Sequence, residues 1–234
     1  MPHQSDRVLL LPGLDGSARL GQRFARAWNA PLELVAYRDD PGADLDAHAE
    51  QVEQAGTGAS VDLIAESFSG PVALRIIDRA RIRVRRLILV ASFAVAPTGS
   101  PIALCRLVPR AIIAALPRPR WAIARLLLSG VGESAIIDEA MEVVRALPPA
   151  VMASRLALLS RLGSPRVRNK IPILALRAIR DRLVPASATA ELQRSYPAVS
   201  VLPIDGPHLL LHAEPAACAA AIRAFLGDQA VPGN

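Results

Sequence analysis

Six short aliphatic runs, each followed by a longer stretch with helical spacing, constrain this chain more than any other feature. They are RVLLL at 7–11, LELVA at 32–36, VDLIA at 61–65, RLILVA at 86–91, IPILALR at 171–177 and VSVLPI at 199–204. Each is apolar on both faces instead of alternating, as strands are in a parallel sheet covered by helices on either side. Helical candidates at 18–28, 43–55, 70–82, 186–195 and 214–227 fall between or after them. The pattern predicts an α/β protein: an open, mostly parallel six-stranded sheet with helices on both faces. With 52% hydrophobic residues but only 3% aromatic, its core must be aliphatic. Ligands on such sheets bind beyond the carboxyl ends of the strands, so the loops that follow the strands are where chemistry is expected.

The alternation breaks once. Between the fourth and fifth runs lie helical stretches near 101–116, 119–129, 134–146 and 149–162, punctuated by prolines and glycines. The expectation is one domain, with a core of 1–94 and 169–234 and a helical cap or lid inserted at 95–168. The apolar run at 8–11 is cut off by Pro12 and Gly13, too short for a signal segment. Residues 102–131 are interrupted by arginines and prolines, so no membrane span is expected. A cytoplasmic location is the resulting expectation.

Several functions are excluded. The single lysine, Lys170, follows no glycine-rich loop, so there is no phosphate-binding P-loop. The two cysteines, Cys105 and Cys218, suffice for neither a disulfide framework nor a four-ligand zinc site. The net charge of +6 is unevenly distributed. Residues 1–70 hold five arginines and eleven acids, whereas 71–130 hold eleven arginines and one acid. Such a basic segment raises nucleic-acid binding, but with Trp121 as the only aromatic near its arginine-rich end it lacks stacking platforms. No nucleic acid, metal or cofactor is expected.

Four short motifs carry chemistry. At 65–70, Ala-Glu-Ser-Phe-Ser-Gly carries a strand straight into a helix, with Ser67 flanked two residues away by the small Ala65 and Ser69. A sharp strand–turn–helix of this kind lifts a nucleophilic hydroxyl over the sheet, although Ser67 as an ordinary helix cap fits the same pattern. At 11–16, Leu-Pro-Gly-Leu-Asp-Gly follows the first strand, where the Leu14 amide, with that of Phe68, suits an oxyanion. Asp181 follows the fifth strand and His208 the sixth.

The order Ser67…Asp181…His208, each after its own strand, resembles the α/β-hydrolases over residues 7–226. The matching residues are 11–16, 65–70, Arg-Asp-Arg-Leu-Val-Pro at 180–185 and Gly-Pro-His at 206–208. The resemblance implies Ser67 as nucleophile, His208 as base, Asp181 as its orienting carboxylate, and the Leu14 and Phe68 amides as oxyanion donors. Pro12 stands where the family usually has His, and the family's first two strands are missing. The resemblance extends to carboxylesterases, including those acting on methyl esters of carrier-protein-linked pimeloyl chains.

The inserted segment suggests the substrate. Ile102, Leu107, Ile112 and Leu126 are expected to line an apolar acyl site. Arg106 and Arg110, four apart on a helix and so on one face, are expected with Arg118 and Arg120 to form a basic surface for an acidic acyl carrier protein. The expected function is thus a serine hydrolase of carboxylic esters or thioesters. The rival is a catalytically silent hydrolase-fold protein that binds a ligand or partner.

Overall fold

The computed structural model describes residues 6–97, 99–130, 134–163, 171–196 and 199–227. Lys170 lies outside them, as do parts of the predicted cap. The strands are β1 (Asp6–Leu11), β2 (Glu33–Leu34), β3 (Ser60–Glu66), β4 (Arg83–Val90), β5 (Ile173–Ala178) and β6 (Ser200–Ile204). All pair in parallel, in the order β2-β1-β3-β4-β5-β6. The order reverses between β1 and β3, which opens a crevice at their carboxyl ends.

Strand periodicity sorts the core into two layers. Leu9, Leu11, Leu63, Ala65, Leu87 and Leu89 face one side, where α2 (Leu45–Ala55), α3 (Ser69–Arg79) and α9 (Ala186–Ser195) contribute Val52, Ile76 and Leu192. Leu10, Ile64, Ile88 and Val90 face the other, against Phe24 and Trp28 of α1 (Gly21–Trp28) and Ile222 of α11 (Pro215–Leu226). Every residue of β3 is buried, as a central strand covered on both faces requires.

Much of the basic middle is neutralised by the acidic start. Arg75 and Arg79 of α3 bind Asp46 of α2, and Arg79 also reaches Glu50 and Glu53. Across the sheet, Arg85 and Arg86 share Asp62. The sequence-level charge imbalance is therefore largely a set of α2–α3 and β3–β4 ion pairs.

Between β4 and β5 lie α4 (Pro101–Leu104), a 3-10 turn (Cys105–Leu107), α5 (Arg110–Ala115), α6 (Arg120–Leu127), α7 (Ser134–Ala146) and α8 (Pro149–Ser160). The single helix expected over 101–116 is instead broken. Val108 is extended (φ −111°, ψ 128°), because a residue before proline is pushed out of the helical region and Pro109 has no N–H to continue the ladder. Among the described residues no single helix is long and apolar enough to cross a membrane.

Candidate active site

Ser67 sits where β3 ends and α3 begins, at φ 47°. This left-handed backbone is unusual for a residue with a side chain and costs about 1–3 kcal/mol. Surrounding bonds hold it there. The Ser67 amide donates to Val90 O at 2.9 Å, and Ser92 Oγ donates to Ser67 O at 2.7 Å. Gly70 leaves the room: a Cβ there would run into Ser92 Oγ.

Three side chains from separate loops meet at this turn. Ser67 Oγ lies 2.9 Å from His208 Nε2, and His208 Nδ1 lies 2.8 Å from Asp181 Oδ2. A carboxylate only accepts, so Nδ1–H donates to Asp181 and leaves Nε2 as acceptor for the Ser67 hydroxyl. Asp181 is itself fixed by the amides of Leu183 and Val184, at 2.8 and 2.9 Å from Oδ1. Burial opposes charge on His208, but the Asp181 charge and hydrogen bond, with Glu66 nearby, outweigh it and raise its pKa above the usual value.

The 11–16 loop lies alongside. Gly16 N donates to Gly13 O at 3.0 Å, closing a tight turn around Leu14. Ser69 Oγ donates to Pro12 O, and Tyr37 Oη lies 2.7 Å from Ser69 Oγ, tying this loop to α3. Behind Phe68, the fully buried His48 ring stacks edge-on at 5.2 Å and meets Tyr37 at 4.8 Å. Burial keeps His48 neutral, its pKa pulled down to about 4.

Two residues here were not singled out from sequence. Arg155 of α8, only 1% exposed, donates Nη1 to Leu14 O at 3.0 Å and Nη2 to Arg38 O at 3.1 Å. Its guanidinium lies 5.8 Å from the Phe68 ring centre and 5.9 Å from that of Tyr37. A Cβ on Gly16 would collide with it. The available signal is that Arg155 is the only charged residue in 149–160. Glu66, directly before Ser67, is the other. Burial and the Asp15 carboxylate push its pKa up to about 7, and Oε1 has no protein partner among the described residues.

The inserted segment bonds directly to the loops that carry Asp181 and His208. Leu209 N donates to Leu127 O at 3.0 Å, Ser129 Oγ donates to Arg180 O, and Ser100 Oγ donates to Leu183 O at 2.5 Å. Of the residues expected to line an acyl site, Ile102 is buried. Leu107, Ile112 and Leu126 are instead exposed, with Leu107 at 73% and Ile112 at 53%. The reason is that Pro109 and Pro119 cut the segment into short pieces, which turn Ile102, Ile113 and Ile123 inward and Leu107, Ile112 and Leu126 outward.

The arginine face also needs correction. Arg106 lies in the 3-10 turn and Arg110 begins α5 beyond the break, so they do not share a helix. Arg118 donates to Val144 O and Leu147 O at the end of α7, and Arg120 pairs with Asp138 at 2.8 Å. Among the described residues no three His, Cys, Asp or Glu side chains gather as a metal site. Cys105 and Cys218 are free thiols.

A parallel α/β sheet with a serine on a strained strand-to-helix turn, His and Asp arriving from later strands, defines a class of protein. The sequence model of the alpha/beta hydrolase family matches residues 5–221, and the chain belongs to that family. Among curated proteins none matches significantly in sequence. Solved structures are similar in fold. A thermophilic esterase from Thermogutta terrifontis is 19% identical with a TM-score of 0.77, over 96% of this chain and 90% of that one. A hydrolase from Pseudomonas aeruginosa is 16% identical with a TM-score of 0.80, over 96% and 91%. An esterase from Exiguobacterium antarcticum is 12% identical with a TM-score of 0.75, over 96% and 93%.

Proposed function

We propose that this protein is a serine hydrolase of carboxylic esters or thioesters. The observation that carries the reading is the continuous relay from Ser67 Oγ through His208 to Asp181, at 2.9 and 2.8 Å, built on a positive-φ serine. His208 Nε2 takes the Ser67 proton as Oγ attacks the acyl carbon, while Asp181 fixes the tautomer and supports the imidazolium charge. The Leu14 and Phe68 amides receive the oxyanion, each worth about 3–4 kcal/mol in sites of this kind. His208 returns the proton to the leaving group, and water attacks the acyl-enzyme by the same route. Arg155 serves as a positioning residue, since it grips the Leu14 peptide and backs the Phe68 ring. The segment 95–168 acts as the cap over the site.

The test is a panel of p-nitrophenyl esters of increasing acyl length, assayed with wild type and Ser67→Ala, together with covalent labelling by a fluorophosphonate. Hydrolysis and labelling that both vanish in Ser67→Ala support the reading. A wild type that neither turns over any ester nor takes the label would instead be the silent, ligand-binding alternative.

A further inference from the structure

Eight large apolar side chains are exposed among the described residues, and six lie within 104–126: Leu104, Leu107, Ile112, Leu116, Trp121 and Leu126. This crowding has a structural cause. α4, the 3-10 turn and α5 pack against α8, with Ile102 and Ile113 buried, and α6 packs against α7, with Leu127 and Leu128 against Ile136, Ile137 and Val143. The opposite sides of these short pieces face outward, with nothing among the described residues covering them. Monomeric proteins seldom leave such a concentration of large apolar groups in water unless it meets another phase or partner.

Its charge narrows the choice. Residues 101–130 contain five arginines and no acid. Arg118 and Arg120 are engaged by α7, but Arg106, Arg110 and Arg125 have no carboxylate partner among the described residues. They alternate with the exposed leucines and Trp121.

We propose that the outer face of α4–α6 docks peripherally on an anionic lipid surface, with Leu107, Ile112, Leu116 and Trp121 entering the headgroup boundary and Arg106, Arg110 and Arg125 meeting lipid phosphates. Protruding apolar side chains interleaved with cations, a tryptophan among them, suit an interface that yields around each side chain. A second copy of the chain fits worse, because a two-fold contact would set this acid-free basic face against the same face of its partner. The inference is independent of the Ser67 chemistry and stands or falls separately from it.

The protein carries its own probe. Of its two tryptophans, Trp28 is 2% exposed and Trp121 73% exposed, so an environmental shift in emission reports Trp121. The full chain is titrated with phosphatidylcholine vesicles, with and without phosphatidylglycerol, and partition is measured by co-sedimentation. Partition more than about tenfold stronger on the anionic vesicles, with a blue shift that vanishes in Trp121→Phe, is expected. Leu107→Ser/Ile112→Ser/Leu116→Ser should lose the partition, and Arg106→Gln/Arg110→Gln/Arg125→Gln should lose the preference for anionic lipid. These substitutions change outward side chains only, and unchanged Trp28 emission in a Trp121→Phe background verifies the fold. Absent partition, partition without a blue shift, or unaltered binding by the serine variant each overturns the proposal. So does a blue shift produced by protein concentration alone, or by an acidic acyl carrier protein while vesicles remain silent.

Discussion

The floor of the site and the helices inserted between β4 and β5 solve opposite problems. On the floor, β3 is buried along its whole length and the Ser67 peptide just beyond it is held by Val90 O and Ser92 Oγ. The hydroxyl and imidazole groups at the turn are matched closely, Ser67 to His208, His208 to Asp181 and Ser69 to Pro12 O, while Glu66 Oε1 beside them has no partner among the described residues. In the inserted helices, only one side of each short element is buried, and the outward sides keep leucines and a tryptophan in solvent. The two regions meet through a few directional bonds, of which those from Arg155, Ser100 and Ser129 are examples. Precision is thus concentrated where the chemistry is proposed, and the outer layer leaves its large apolar side chains in solvent.

The sharpest test of the floor is Ser67→Ala. If the relay is catalytic, kcat should fall by at least about 10³-fold with KM little changed, because the oxyanion donors and binding remain. Steady-state kinetics on a small ester, with the protein's thermal midpoint as a check on folding, decides it. A fall of less than tenfold would mean that the geometry is idle.

Next in size is a paired substitution in the insertion. Ile113 is 2% exposed and its neighbour Ile112 53%. Ile113→Ala should cost about 2–5 kcal/mol by transfer and cavity terms, whereas Ile112→Ala should stay within about 0.5 kcal/mol. Equal losses in denaturant unfolding would show that the outer face is packed after all, erasing the contrast between the regions.

Arg155→Met probes the link between them. It keeps the bulk but leaves Leu14 O and Arg38 O without their donor, and the loop that presents the Leu14 amide becomes free to drift. kcat/KM should fall by about 10²-fold, mostly in kcat. Arg155→Lys should recover little, since a single ammonium cannot bond both carbonyls and back two rings in the same plane. A purely structural role would lower the thermal midpoint of both variants while leaving kcat of the folded protein intact.

The floor was legible in the sequence because its constraints are local. A two-sided aliphatic strand ending in small-x-Ser-x-small specifies both the burial of β3 and the turn at Ser67, and the later strands bring Asp181 and His208 to the same edge. The outward turn of Leu107, Ile112 and Leu126 was not legible. Helical periodicity needs several turns to declare a face, and α4 to α6 are four to eight residues long, each reoriented by a proline. Arg118 and Arg120 misled for a related reason: their partners, the end of α7 and Asp138, lie outside the acid-free window. Glu66 and Arg155 were hidden differently. A charge inside an apolar element reads as a surface residue until the fold places it against Asp15 or the Leu14 peptide.

Glu66 gives the smallest expected effect, and one whose sign is fixed. Burial and Asp15 raise its pKa from the ordinary 4.5 to about 7, so the folded protein holds a proton that the unfolded chain has released between those values. Stability from this group is therefore complete below pH 4.5 and lost as pH rises through about 7. The full loss is on the order of 3 kcal/mol above neutral pH. Glu66→Gln cannot ionise, so it should match wild type near pH 4.5 and become progressively more stable than wild type up to pH 7, with a constant gap beyond. Denaturant unfolding across that range measures the gap directly. A difference that stays flat with pH, or narrows as pH rises, would mean that Glu66 is ionised in the folded floor and that an unseen donor meets its free oxygen.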